Sequence, residues 1–589
     1  MTFVSDDNKS SYDNAIAIIG ISCIFPGAPS VVRFWDNIVK GVDSIRDAGP
    51  GEWDADFYKN KSSSTFGKIY CTRGGFITEF AEFDPLEFGI MPTSVHGADP
   101  DQFLVLRTAA EALTDAGYHH KTFDGERAEI IIGRTMATGM GAMNLIQHGQ
   151  TVDQVLQIVQ AVCPQMGADQ LAEVGQRLRG ELRPCNADTI PAVMPNVMSG
   201  RIANKLGFRG RNLILDAACA SSLLALETAM MGLQCRQSDL AIAGGVHVNS
   251  SAGFYQMFCG LGALSQSGKI RPFDDNADGT VLGEGVGMVV LKRLDDAIRD
   301  GNRIYAAIRG IGSSSDGRSG GLLAPNVDGE VLAMRRAYEK AGVSPKTIGL
   351  LEAHGTGTKA GDWAEINAVK RVFCEPVGEE PEVTKPWCAL GSVKSMIGHT
   401  QAASGMAGLI KATLALHHKI LPPTLNVLKP NSQVDWSQSP CFINSKARPW
   451  VTDRHQEPVQ PRRAAVSSFG FGGINAHVIL EEHIPCAAEQ VRQTEQFKPA
   501  NADKVRPGSI KLALNFPALS ARSLDGMQLP GAMDVQPQAS AAPDVTETAE
   551  STAVLKTFQQ TMALVHQNML GVQENVMLAY LNDDDDPAK

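Results

Sequence analysis

The stretch Leu213-Ile-Leu215-Asp216-Ala-Ala-Cys219-Ala-Ser-Ser-Leu-Leu-Ala-Leu226 decides how the rest of this chain reads. Leu213-Ile-Leu215 is a short apolar strand. The residues after Cys219 are small and aliphatic, with no Pro or Gly until Gly232, so they read as a buried helix. A thiol at such a strand-to-helix turn feels the positive end of the helix dipole and unpaired backbone N–H groups. Both favour the thiolate, which is the nucleophilic form. A free cysteine is nevertheless among the most buried residue types, so Cys219 alone does not establish chemistry.

Two histidine segments farther along change the balance. The apolar run Ile348-Gly-Leu-Leu351 reads as a strand that opens into Glu352-Ala-His354-Gly-Thr356-Gly-Thr358. A second strand, Ala389-Leu-Gly-Ser-Val393, leads into Lys394-Ser-Met-Ile-Gly-His399-Thr-Gln-Ala-Ala-Ser-Gly405 and then a helix of small residues through Leu416. A lone histidine is usually a packed or solvated one. Three reactive groups, each at the mouth of its own strand, sit where catalytic groups collect in α/β folds.

These residues belong to a longer ordered series. It opens with Ala17-Ile-Ile-Gly20, Phe25-Pro26-Gly27, Phe34-Trp35, Phe83-Asp-Pro and Phe88-Gly89-Ile90. After the Cys219 turn come Arg271-Pro272-Phe273-Asp274, Gly283-Glu-Gly285, the two histidine motifs and Ser468-Phe-Gly-Phe471-Gly-Gly-Ile-Asn475. In this order the chain resembles the beta-ketoacyl synthases, or ketosynthases, of polyketide and polyunsaturated-fatty-acid synthases. The resemblance runs through residues 14–485 and is specific for the family, not for a product.

The resemblance implies a thiolase-like α/β fold: five layers, α-β-α-β-α, from two pseudo-repeated halves at about 14–295 and 303–485. The strand candidates agree. They are Ala15–Ile19, Ile130–Gly133, Leu213–Leu215, Leu240–Ala243 and Val286–Leu291, then Ile304–Ile311, Ile348–Leu351, Ala389–Val393 and His477–Leu480. It also implies decarboxylative Claisen condensation on Cys219. His354 and His399 are similar to the family's decarboxylation histidines, and Lys394 to the lysine that charges that end of the site. Backbone N–H groups of Cys219 and Phe471 would hold the oxyanion, with Gly470 and Gly472 permitting close backbone approach. Phe469 and Phe471 resemble a gate, and Thr356 and Thr358 would contact extender or pantetheine. No bound cofactor or metal is implied. Substrates would ride on the phosphopantetheine of a separate acyl carrier protein.

Several relatives are set apart by residues present here. Chain-length factors replace the cysteine, non-elongating ketosynthases commonly lose a histidine motif, and coenzyme A-dependent Cys-His-Asn synthases carry Asn in place of His399. Thiolases need a second cysteine in the C-terminal Gly-rich loop. The competing readings are an acyl-transfer enzyme or a structural ketosynthase-like subunit that does not elongate. Two departures stand out. Ile474 replaces the threonine of the Gly-Phe-Gly-Gly-Thr-Asn loop. Gly97-Ala-Asp99-Pro100-Asp-Gln102-Phe103 diverges in a region near the dimer interface of relatives. Residues 139–198 are longer than in compact fatty-acid ketosynthases. There Leu156, Val159, Leu171, Val174 and Leu178 mark amphipathic helices, expected to be packing with some lid role.

Composition fits a large soluble enzyme. The chain has 589 residues, 43% hydrophobic and 20% charged. A net charge of −11 without a basic cluster argues against nucleic-acid binding. Eleven cysteines without a Cys-x-x-Cys pair suggest neither a disulfide framework nor a zinc site. The polar start is unlike a signal peptide, and the longest apolar run falls short of a membrane span. A reducing cytoplasm is the expected setting. The glycines at 283–287 miss the dinucleotide spacing, and Gly262 to Lys269 is one residue too long for a phosphate loop.

Residues 1–13 read as a polar tail and 486–550, rich in Ala, Pro, Gln, Asp and Thr, as a largely disordered linker, with part of the region after Ile510 folding back onto the body. From Leu555 the apolar or small residues Phe558, Met562, Val565, Met569, Val572, Val576 and Ala579 step by threes and fours. That heptad seam marks 551–581 as a short coiled coil or a docking helix, before an acidic tail at 582–589. A homodimer is expected, and the helix is the candidate handle for a partner synthase subunit. The sequence shows no Gly-His-Ser-x-Gly acyltransferase elbow and no Asp-Ser-Leu carrier motif, so acyltransferase and carrier are expected in trans.

Overall fold

A computed structural model of the chain describes residues 14–49, 51–60, 67–119, 121–136, 139–248, 250–318, 321–374, 385–452, 460–485 and 508–514. Its first strand, β1 (Ile16–Ile24), is apolar or small throughout and buried at every position. That is the pattern of a strand covered on both faces. Four more strands follow in the first half: β2 (Ala128–Arg134), β3 (Asn212–Leu215), β4 (Leu240–His247) and β5 (Gly285–Arg293). The second half supplies β6 (Ala306–Ser315), β7 (Leu350–Glu352), β8 (Cys388–Gly391), β9 (Cys441–Ile443), β10 (Arg463–Gly470) and β11 (Ile474–Glu481).

The two halves have one topology. The first runs β3-β2-β4-β5-β1, and the second β8-β7-β10-β11-β6, with β9 added outside β8. In each, the last strand in sequence (β5 or β11) is antiparallel to both neighbours, and the three strands beyond it are parallel. The first strands of the two halves lie side by side, antiparallel, with Ile16 opposite Ile308 and Ile18 opposite Ala306. The two pseudo-repeated halves that the resemblance implies are a repeat of sheet topology.

Helices complete five layers. Alternate residues of β1 serve two cores: Ile16 and Ile18 face one, Ala17 and Ile19 the other. The outer core of the first half is closed by α1 (Asp101–Asp115) and, beyond two helices of the insertion, α2 (Val152–Val162) and α3 (Ala168–Glu181), by α4 (Pro195–Leu206). Between the half-sheets lie α5 (Ser221–Gln234) and, from the second half, α8 (Ser404–His418). The outer face of the second half carries α6 (Val327–Ala341) and α7 (Lys359–Phe373). Every residue of α8 from Ser404 to Leu416 is buried. Apart from Lys411, which is paired with Glu352, the buried run is apolar or small on all sides, as an enclosed helix requires.

Two strands were not expected. The Arg463-Ala-Ala-Val-Ser-Ser-Phe-Gly segment of β10 has one branched aliphatic residue, and β9 is three residues long. Tertiary pairing overrides weak local signals in both. In the insertion, α2 and α3 pack through Leu156, Val159, Leu171, Val174 and Leu178. Within the stretch read as a linker, Ile510–Lys511 pairs antiparallel with Glu82–Phe83, and Leu512 and Leu514 are buried against the outer core of the first half. The heptad segment 551–581 and both tails, 1–13 and 582–589, lie outside the described residues.

The divergent segment at Gly97 to Phe103 has an internal role. Asp99 and Asp101 both bind the buried Arg134 guanidinium, at 3.1 and 2.6 Å. Gln102 donates to the carbonyls of Ala192 and Met194 at 2.8 and 3.0 Å, holding the end of the insertion.

Candidate active site

Cys219 lies in a single 3₁₀ turn, Ala218–Ala220, between β3 and α5. The turn starts from a left-handed residue, Ala218, at φ +48°. Such a conformation is costly for a non-glycine residue and persists only where its surroundings hold it. Here Asp216 accepts from the Ala218 N–H at 2.9 Å, and Ser221 Oγ accepts from Ala217 N–H while donating to the Ala218 carbonyl at 2.6 Å. The Cys219 carbonyl receives Ser468 Oγ at 2.7 Å and Ser404 Oγ at 3.2 Å, which ties the turn to the second half. A Cβ at Gly470 would stand 2.6 Å from the Ala217 carbonyl, so only glycine lets the β10 end come this close.

Cys219, His354 and His399 line one cavity of about 300 Å³. The imidazole rings are 5.4 Å apart and nearly perpendicular. Phe469, Gly470, Phe471, Gly472, Thr356 and Thr358 line the same cavity, with the two threonine hydroxyls 3.0 Å apart. The Phe469 ring lies tilted 5.6 Å from His354, and Phe471 stacks at 6.1 Å on Phe258. Lys394 is not in the cavity wall. It is buried, and its positive charge bears on Cys219 and on both histidines. None of the described residues in 139–198 is among those lining this cavity.

The electrostatics correct one expectation. Burial pushes the Cys219 thiol up to about 11, and Lys394 together with the backbone N–H groups of Phe471 and Cys219 only partly opposes this. The turn therefore does not stabilise a resting thiolate, because desolvation outweighs the fixed dipoles. Burial, then Lys394 and the neighbouring imidazole, holds His354 well below the usual histidine range. His399 is lowered by burial, then by Lys394 and His247. Both rings are neutral at pH 7. The Gln401 N–H donates to His399 Nδ1 at 3.2 Å, which puts the single ring proton on Nε2.

Several contributors were not singled out from the sequence. Gln401 accepts a 3.8 Å contact from Cys219 Sγ through Oε1. Glu365 on α7 receives the backbone N–H groups of His354 and Gly355 at 2.7 and 2.8 Å and so fixes the first histidine loop. Glu352, inside the first histidine motif, accepts from Val393 N–H at 2.6 Å and pairs with the fully buried Lys411 at 2.6 Å. It thereby links the strand before His354 to the segment carrying Lys394. Glu365 and Glu352 stand eleven residues after and two before His354, and no local pattern marks them.

The remaining motif residues are structural. Glu284, between Gly283 and Gly285, is buried and accepts from the N–H groups of Ile77 and Ser250. Ile474 begins β11, and its Cγ2 lies 2.9 Å from where a Cβ at Gly470 would be, so its branched chain packs against the glycine loop.

Residues 13–297 match the beta-ketoacyl synthase N-terminal domain and residues 305–428 the beta-ketoacyl synthase C-terminal domain. The chain belongs to the beta-ketoacyl synthase family. It is 37% identical over 497 residues to a polyunsaturated fatty acid synthase subunit of Thraustochytrium sp., an alignment covering 84% of this chain and 17% of that one. With the polyketide synthase PksL of Bacillus subtilis it shares 36% identity, over 83% of this chain and 10% of that one. This ketosynthase chain thus spans under a fifth of the length of those relatives. Among solved structures, the ketosynthase from module 6 of the Bacillus subtilis bacillaene synthase is similar at 34% identity and a TM-score of 0.66, covering 80% of this chain and 72% of that one. A Streptomyces albus oxazolomycin ketosynthase domain is similar at 30% and 0.68, covering 80% and 75%. The fold is the thiolase-like one expected.

Proposed function

We propose that this ketosynthase catalyses decarboxylative Claisen condensation, joining a malonyl-type extender to an acyl chain held on Cys219. The observation that carries the reading is the meeting of Cys219 with two neutral, buried imidazoles in one cavity. A lone nucleophile would suffice for acyl transfer. A pair of neutral N–H donors suits an enolate oxygen that becomes negative in a dry site.

In the first half-reaction Cys219 Sγ attacks the thioester carbonyl. The N–H groups of Cys219 and Phe471, which both bear on the sulfur, would hold the oxyanion. The thiol proton leaves with the departing carrier thiolate. In the second half-reaction the extender loses its carboxylate as carbon dioxide. His354 and His399 stabilise the enolate oxygen, and the enolate carbon attacks the acyl-cysteine. The carbon–sulfur bond breaks, a β-ketoacyl thioester departs, and the expelled Cys219 thiolate takes a proton from solvent water. Burial, with Lys394 acting in the same direction, keeps both rings neutral. Phe469 and Phe471 stand as the gate, and Thr356 and Thr358 as extender or pantetheine contacts.

Acyl and extender units would arrive on an acyl carrier protein, with the extender loaded by an acyltransferase in trans, in the cytoplasm. A homodimer is the working assembly, with the 551–581 segment as handle for a partner synthase subunit. No described helix is long and apolar enough to cross a membrane. Purified protein incubated with a panel of acyl-pantetheine thioesters should gain one acyl mass absent from Cys219→Ala. Adding malonyl carrier should then release carbon dioxide and a β-keto product. An acyl adduct that never elongates would replace this reading by acyl transfer alone.

A further inference from the structure

The cavity wall contains a carboxyl that the condensation does not use. Three polar side-chain atoms of the lining are buried without a hydrogen-bond partner among the described residues: His354 Nδ1, Thr280 Oγ1 and Glu330 Oε2. The other polar groups there are matched. Asn475 Nδ2 donates to Asp316 at 2.7 Å, and Thr356 bonds Thr358. Glu330 sits in the first turn of α6 and is 2% exposed. Burial, with Glu365 and Asp316 acting in the same direction, pushes its carboxyl well above the usual range, toward the protonated form. Phe258, Leu261, Leu322, Leu323 and Phe471 make much of the remaining wall apolar.

We propose that Glu330 reads a hydroxyl on the acyl chain delivered to Cys219, so that the enzyme selects hydroxylated chains over fully reduced ones. The inference rests on the condensing reading above. A carboxyl offers an accepting oxygen and, when protonated, a donating O–H as well. A hydroxyl both donates and accepts, so it satisfies whichever oxygen faces it, whereas a keto group satisfies only the donor. A saturated chain leaves Oε2 buried and unpaired, and sites built around such a group discriminate against the analogue that lacks the partner. The selection expected from one such hydrogen bond is about 10–100-fold in loading rate.

The test uses the full chain and N-acetylcysteamine thioesters, which carry no hydroxyl of their own: hexanoyl, 3-hydroxyhexanoyl and 5-hydroxyhexanoyl. Rates of adduct formation at Cys219 are read by intact mass, with Cys219→Ala as the blank. One hydroxylated chain should load about 10–100-fold faster than hexanoyl. Glu330→Gln, which keeps a donor and an acceptor, should retain the preference. Glu330→Leu should bring the ratio to about one while hexanoyl still loads. A residue that merely supports the fold would lower all three rates together and leave the ratio intact. Equal loading by the wild type, which needs no variant, overturns this inference alone, as does a ratio unchanged in Glu330→Leu. No adduct from any thioester overturns the condensing reading and this inference with it.

Discussion

Raising the pH is the simplest perturbation of Cys219, whose thiol burial has moved to about 11. At pH 7.5 the thiolate fraction is then about 3 × 10⁻⁴, against roughly 0.1 for an unperturbed cysteine near 8.5. The deficit of about 300-fold is partly recovered, because a more basic thiolate is intrinsically more nucleophilic, by roughly 10–20-fold for this difference. Alkylation at pH 7.5 should therefore run some 20-fold or more slower than for a free thiol. Burial hinders access as well, so the slope is more diagnostic than the absolute rate. Between pH 7 and 10 the rate should climb about tenfold per unit, where an unperturbed thiol levels off near 8.5. The sign follows from the shift: a raised thiol pKa moves the reactive form to higher pH. The assay is iodoacetamide labelling followed by peptide mass mapping at Cys219. Lys394→Met removes the largest influence opposing burial and should lower the rate at pH 8 further. A rate that levels off at pH 8 or below would refute the reasoning, since the ammonium and backbone N–H groups would then have overcome desolvation.

Three other outcomes are expected. His399→Asn should leave acyl-adduct formation at Cys219 in place but slow malonyl decarboxylation by about 10²–10³, the usual loss for one preorganised donor, as read by carbon dioxide release. Lys411→Met strands the Glu352 carboxylate in the interior and should cost about 3–5 kcal/mol by chemical denaturation, with Glu352→Gln in the same chain restoring much of it. Gly245→Ala would bring a Cβ to 2.6 Å from Ser222 Cβ and 2.7 Å from the Ala402 carbonyl, and this overpacking should cost about 1–3 kcal/mol, seen as a lowered Tm.

How far the sequence could be read depended on how local each signal was. Strands β1, β2, β4 and β5 were legible because burial on both faces writes a continuous apolar run. β10 was not, since it is held by β7 and β11 and not by its own composition. Cys219, His354 and His399 were legible because each stands at a strand end with a distinctive flank. Gln401, Glu352 and Glu365 were not, because their roles arise from contacts between the halves or across a loop. The thiol failed in the other direction. Dipole and N–H groups can be inferred from a turn, but the desolvation that outweighs them depends on layers supplied by distant sequence.

The repeated topology explains why the chemistry sits where it does. In each half a 3₁₀ turn that begins on a left-handed non-glycine residue runs into a central helix, following β3 closely in the first half and the short helix Lys394–Ile397 after β8 in the second. Those residues are Ala218 and Gln401, both at φ +48°. Because β1 and β6 join the halves antiparallel, the two turns are brought face to face between the sheets. One turn presents Cys219. The other presents Gln401, whose side chain meets the sulfur and whose N–H sets the His399 tautomer. The two helices behind them are locked by Ser222 Oγ, which accepts from Met406 N–H at 2.9 Å. A nearly symmetric scaffold thus yields an asymmetric site. The same strained turn holds the thiol in one half and, in the other, the residue that orients the His399 ring. Strain stored in both turns is then a positional device, and relaxing either one would separate the sulfur from the imidazoles that the proposed condensation pairs with it.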